Sequence, residues 1–176
     1  MNVLFLHGPA AAGKYTIGKA LSETLRWPLF HNHLAVDTAL SLFDFGTAGF
    51  CKLRAEIWRA AFREAANAKR SFIFTFHPEA TVDPTLIEEL VSIVDAGGGR
   101  ILFVELQCSA ATILSRLDND SRHQFGKLTD KSLYAKVERE GGFDFPALPT
   151  PIVIVDTEQD DVDAAVSKIQ GAVKLL

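Results

Sequence analysis

The feature that most constrains this chain is a glycine-flanked segment near its start, Gly8-Pro9-Ala10-Ala11-Ala12-Gly13-Lys14. It follows directly on a short apolar run, residues 3–6, and opens a stretch, residues 14–25, in which Ile17, Leu21 and Leu25 recur at helical spacing. A continuous apolar run followed by glycine suits a strand buried on both faces, as in a parallel sheet covered by helices. Between such a strand and a helix, the pattern G-x-x-x-x-G-K has a physical meaning. Small residues let successive backbone amides curl around an anion, and the helix N-terminus adds partial positive charge. Gly8, Ala10, Ala11, Ala12 and Gly13 are therefore the expected phosphate cradle, with Lys14 as a mobile cation for the β- and γ-phosphates of a nucleotide.

The segment departs from its usual form in one respect. Such loops follow the lysine with Ser or Thr, whose hydroxyl reaches a magnesium ion, and this chain has Tyr15. Thr16 comes next, but one residue further along a helix is turned by about 100° and does not hold the same ligand position. Tyr15 and Thr16 are thus expected at the nucleotide, Thr16 toward an α-phosphate, and no protein ligand for magnesium is assigned.

Apolar runs and helical spacing alternate along the rest of the chain. Strands are predicted at residues 29–31, 71–76, 101–106 and 152–155 in addition to the first. Helices are predicted over 14–25, 34–43, 47–69, a segment capped by Asp83 with Pro84 at its first position and closed by Gly97-Gly98-Gly99, 110–117, 130–140, and a final one that buries Val162, Val166, Ile169 and Val173. Five strands separated by helices imply an α/β domain, a parallel sheet with helices on both faces. At 176 residues, 48% hydrophobic and 23% charged, one domain spanning 1–176 is expected. Most of the thirteen phenylalanines are assigned to its core. Trp58, on the inner stripe of its helix, is assigned there too.

Charge and cysteine usage exclude several classes of function. Eighteen basic residues stand against twenty-two acidic, a net charge of −4, which does not favour duplex nucleic acid as a partner. Cys51 and Cys108 are far apart with no Cys-x-x-Cys spacing or clustered histidines, so a zinc site is not expected, and both read as reduced, buried cysteines. No run approaches the length of a membrane span, and the first residues lack the pattern of a signal peptide. A cytoplasmic protein without a membrane partner is the expectation.

The loop, the chain length and the strand pattern resemble the nucleoside-monophosphate and shikimate kinase group of P-loop phosphotransferases. Leu29-Phe30-His31-Asn32-His33 and Ser121-Arg122-His123-Gln124-Phe125-Gly126-Lys127-Leu128-Thr129-Asp130 bring the chain closer to the shikimate-kinase-like small ATPases. The resemblance spans essentially the whole chain. It implies a three-layer P-loop NTPase fold with strand order 2-3-1-4-5, an acceptor-binding helical region at about 32–69, and a lid at about 118–130.

The resemblance also implies roles for particular residues. Kinases of this group place an Asp near the end of the second strand to orient or deprotonate the acceptor hydroxyl. Here Asn32-His33 stands in that region, with Asp37 one turn further on, so His33 or Asp37 is the candidate base; Asn32 as a helix cap with structural histidines is the alternative. The third strand ends without an acid, His77-Pro78-Glu79 following Phe76, where many P-loop enzymes hold magnesium through an Asp. Arg122 is the candidate lid arginine, with Arg116 and Lys127 as weaker ones. Asp156 and Thr157 fall where the loop after the fifth strand lies against adenine, although either also suits a helix cap. Phe43, Phe45 and Phe50 are candidates for the wall of an acceptor pocket.

The Asp and Arg residues expected for a carboxylate-bearing ring are not evident near the second and third strands, which speaks against a shikimate-type acceptor. The expectation is an ATP-dependent phosphotransferase acting with Mg2+ on a small hydroxyl-bearing or nucleotide acceptor. Its alternatives are an ATP-binding module and a slow ATPase. No Asn-Lys-x-Asp guanine signature is present, which makes GTP the poorer choice.

Overall fold

The computed structural model describes residues 1–117 and 130–175. Five strands form one parallel sheet: β1 (Asn2–His7), β2 (Leu29–His31), β3 (Phe72–Phe76), β4 (Arg100–Gln107) and β5 (Val153–Asp156). Their spatial order is β2-β3-β1-β4-β5, as the family resemblance implied. The helices are α1 (Lys14–Leu25), α2 (His33–Leu40), α3 (Ala48–Asn67), α4 (Thr85–Ala96), α5 (Ala110–Arg116), α6 (Lys131–Arg139) and α7 (Val162–Lys174).

Because side chains alternate across a strand, β1 divides its apolar run between two layers. Val3 and Phe5 join an aromatic layer with Trp58, Phe62, Phe72, Phe74, Phe76 and Phe103, beneath α3 and α4. Leu4 and Leu6 join an aliphatic layer with Ile17, Leu21, Leu106, Val155 and Ile169, beneath α1 and α7. Phe5 centres the aromatic side, its ring centroid 5.2 Å from that of Phe74 and 4.9 Å from that of Phe103. Trp58 is fully buried there, as expected.

Several boundaries differ from the sequence reading. α2 stops at Leu40, and Phe43 lies in the turn beyond it, its amide bonded to the Ala39 carbonyl. Thr47 lies outside α3 and caps it, its side chain accepting the Phe50 amide. α4 starts at Thr85, with Pro84 in the cap position and not the first helical one, and Asp83 lies one residue earlier, accepting the Thr85 amide at 2.9 Å. The two cysteines are free, as expected, but half-buried rather than buried. No helix among the described residues is long and apolar enough to cross a membrane.

Candidate nucleotide and acceptor site

All five strands run parallel, so their carboxyl ends lie along one edge of the sheet, where ligands of open α/β folds bind. The segment from Gly8 to Lys14 leaves that edge from β1, at the centre. Gly8 has φ 145°, and a Cβ there would stand 2.2 Å from the Leu106 carbonyl oxygen of β4. Only glycine brings the backbone so close to the neighbouring strand. Gly13 is left-handed at φ 84°, and so is Ala11 at φ 58°. Gly13 also begins α1 and offers no side-chain cap to its first amides. Those amides, without helical partners of their own, are what an anion would take. Lys14 folds back along the loop, its Nζ donating to the carbonyls of Gly8 at 2.7 Å and Pro9 at 2.6 Å.

Three elements brace this loop. Its alanines, Ala10 and Ala11, pack against a small cluster of Ile113 and Leu117 from the α5 end and Tyr134 from α6, the helices on either side of residues 118–129. From β3, His77 reaches across with Nδ1 3.2 Å from the Gly8 carbonyl oxygen, and its ring lies 5.0 Å from Phe143. His7, the last residue of β1, is buried; desolvation lowers its pKa from 6.5 to about 4, with Glu105 opposing the shift and Lys14 adding to it. Neither the bond of His77 nor the burial of His7 was read from the sequence, since both depend on neighbours distant along the chain.

Tyr15, one place beyond the lysine, is half-buried and meets the His31 ring edge-on at 5.1 Å, while His31 and His33 lie 6.1 Å apart. Thr16 is exposed. The structure therefore brings Tyr15, His31 and His33 together beside the phosphate loop. Asp37 stands exposed one turn into α2. Asn32 precedes α2 but makes no side-chain cap, and its Oδ1 is buried without a hydrogen-bond partner among the described residues, which removes the capping alternative.

Among the described residues no three His, Cys, Asp or Glu side chains gather as metal ligands, and Tyr15 is engaged with a ring. Glu79, the acid past β3, is committed elsewhere. Its Oε1 accepts from Arg54 Nη1 of α3 at 2.5 Å and its Oε2 from Thr81 Oγ1 at 2.7 Å. Arg54 is a residue the sequence reading missed. It occupies the fourth-residue stripe Phe50, Arg54, Trp58, Phe62, Ala66, and a lone arginine in an otherwise apolar stripe was the available signal.

At the other end of the edge, Thr157 donates its amide to the Gln107 carbonyl at 3.0 Å. Arg116 holds the same turn, donating to Thr157 Oγ1 at 2.9 Å and to its carbonyl at 2.7 Å. Asp156 accepts the Glu158 amide, and the cap of α7 is Asp161, so the helix-cap alternative for Asp156 and Thr157 is not what forms. A cleft of about 380 Å³ opens here, bounded by Pro9, Gln107, Cys108, Ser109, Asp156 and Glu158. Phe50 is buried, whereas Phe43 and Phe45 are exposed, with Phe45 4.9 Å from the Phe50 ring. Arg122 and Lys127 lie outside the described residues, as does nearly all of the expected lid.

The fold is that of the P-loop small-molecule kinases. A sugar kinase from Janibacter sp. superposes with TM-score 0.69 at 14% identity, over 99% of this chain and 95% of that one. The APS kinase of Mycobacterium tuberculosis, solved with AMPPNP and APS, gives 0.67 at 14% over 98% and 97%. Shikimate kinase from Aquifex aeolicus gives 0.55 at 17% over 99% and 96%. No protein-family model and no curated protein matches the chain.

Proposed function

We propose that this protein is an ATP-dependent phosphotransferase that moves the γ-phosphoryl group to a small hydroxyl-bearing acceptor. The observation that carries the reading is the loop from Gly8 to Lys14, shaped by two left-handed turns and ending on an uncapped helix beside a lysine. The likeness to solved kinases supports it at the level of fold.

One domain, 1–176, carries both halves of the site. The loop amides and Lys14 bind the β- and γ-phosphates, with Tyr15 and Thr16 beside them; Asp156 and Thr157, the latter held by Arg116, lie at the base. Residues at about 32–69 receive the acceptor, and Arg122, from a lid at about 118–130, completes the charge around the transferring group. In transfer, the acceptor oxygen forms a bond to the γ-phosphorus as the bond to the bridging oxygen breaks. ADP leaves with that electron pair, and the hydroxyl proton passes to His33 or Asp37. Such chemistry needs mainly positioning and charge stabilisation. Magnesium belongs to the substrate, arriving on the phosphates of ATP.

The contact of Tyr15 with His31 favours a second reading, an ATP-binding module or slow ATPase, because it puts a ring where a metal-binding hydroxyl usually stands. ADP release measured against a panel of hydroxyl compounds separates the two. Release that rises with an acceptor and falls at least tenfold in Arg122→Ala supports transfer; release indifferent to every acceptor supports hydrolysis alone.

A further inference from the structure

Most of α6 is exposed, and the helix is seated by the Tyr134 ring, 3% exposed, which packs with Ile113 and Leu117 against Ala10 and Ala11 of the phosphate loop. A helix held through so few apolar contacts opens at little cost. Its end is set by Gly141-Gly142. Gly141 is left-handed at φ 72°, its amide donates to the Glu138 carbonyl at 3.1 Å, and the Gly142 amide donates to the Val137 carbonyl at 2.8 Å. These paired bonds are the closure that reverses a chain at a helix C-terminus. They fold Phe143 back onto α6, its ring centroid 5.0 Å from that of Tyr134.

The chain beyond this turn is clipped to the end of β3. The Gly142 carbonyl accepts the Ala80 amide at 2.9 Å, and the Phe145 ring meets Phe76 edge-on at 5.4 Å. Between these two fixed points Phe143 meets His77, their ring centroids 5.0 Å apart, and His77 Nδ1 lies 3.2 Å from the Gly8 carbonyl oxygen. Two routes therefore join α6 to the phosphate loop. One is direct, from Tyr134 to the alanines, and the other runs through Phe143 and His77 to Gly8. A hydrogen bond weakens steeply as its N–H turns away from the acceptor, so whatever fixes the His77 ring fixes this bond.

We infer that Phe143 is a positioning residue for nucleotide binding: it holds the His77 ring in the orientation from which Nδ1 donates to Gly8, and so couples the seating of α6 to the occupancy of the phosphate loop. The inference rests on the reading that this loop takes the phosphates of ATP, and it adds a residue that acts on the loop through another side chain. Linkage makes the effect reciprocal. If a seated α6 improves the loop, filling the loop seats α6.

The test is AMPPNP calorimetry on wild type, Phe143→Leu, His77→Phe and the double variant. Each single variant is expected to bind about fivefold more weakly, the scale of one hydrogen bond. Because both changes act on the same bond, the double variant is expected to lie within about twofold of either single one. A double variant weakened by the product of the two single effects overturns the inference, as does Phe143→Leu binding like wild type. In nitrogen NMR of the histidine rings, His77 is expected to hold its proton on Nδ1 in wild type and to populate both tautomers in Phe143→Leu. The same tautomer in both proteins overturns the inference. Should Phe143→Leu not fold, hydrogen exchange of wild type and His77→Phe takes its place. AMPPNP is expected to slow exchange of the α6 amides in wild type and to do so about threefold less in His77→Phe, and an equal effect in both overturns the inference. No AMPPNP binding by wild type strikes the phosphotransfer reading itself, whereas binding by wild type with independent variants strikes this inference alone.

Discussion

His77 Nδ1 and the Gly8 carbonyl oxygen lie 3.2 Å apart, a bond between the end of β3 and the first residue of the phosphate loop. A carbonyl only accepts, so His77 must carry a proton on Nδ1. The same oxygen accepts from Lys14, which makes Gly8 the point where strand, loop and lysine meet. His77→Phe keeps a ring against Phe143 but lacks the donor. It is expected to weaken ATP binding about fivefold, near 1 kcal/mol, by calorimetry. Unchanged affinity would show that the bond does not set the loop.

Gly8→Ala brings a methyl to 2.2 Å from the Leu106 carbonyl oxygen, at a φ of 145° that side chains rarely adopt. A stability loss on the order of 2–4 kcal/mol is expected in urea, together with loss of ATP binding. A variant of wild-type stability would mean that the loop does not approach β4 this closely.

The stability of the fold should depend on pH through His7. Burial lowers its pKa from 6.5 to about 4, so between those values the unfolded chain binds the extra proton and the folded chain does not. The contribution is full above pH 6.5, is lost as the pH falls toward 4, and is constant below; it amounts to about 3 kcal/mol at most. Urea unfolding of wild type and His7→Gln at pH 7 and pH 4.5 checks this. The difference between the two pH values is expected to shrink in the variant, and an equal difference in both would remove His7 as its source.

Tyr15 occupies the place of a metal-binding hydroxyl and leans on His31. Tyr15→Thr restores that hydroxyl. The gain in ATP affinity on adding magnesium is expected to be about tenfold larger than in wild type, the scale of one hydrogen bond to a charged group. Calorimetry with and without magnesium reads it, and no change would mean that position 15 does not govern metal binding.

Much of the fold was legible in the sequence because its signals are local. β2 and α1 are as read, and the alternation of short apolar runs with helical spacing marks a parallel sheet. Gly8 and Gly13 were also marked in the sequence, as the ends of a segment of small residues between strand and helix, and both have positive φ. What escaped depends on partners far along the chain. Arg54 sits in the inner stripe of α3, but its partner Glu79 lies 25 residues away, and His77 reads as an end-of-strand residue until Gly8 and Phe143 close around it. Asp161 was passed over as the cap of α7 because Asp156 and Thr157 stand just before it, and a cap is fixed by where the chain turns.

The central claim is that the loop ending at Lys14 holds the phosphates of ATP, and ATP calorimetry on wild type and Lys14→Ala tests it most directly. On the proposed reading Lys14 exchanges its bonds to the Gly8 and Pro9 carbonyls for bonds to the nucleotide, so the expected result is magnesium-dependent binding in wild type, weakened about a hundredfold in the variant. Equal affinity in both proteins, or no ATP binding by wild type, would contradict it.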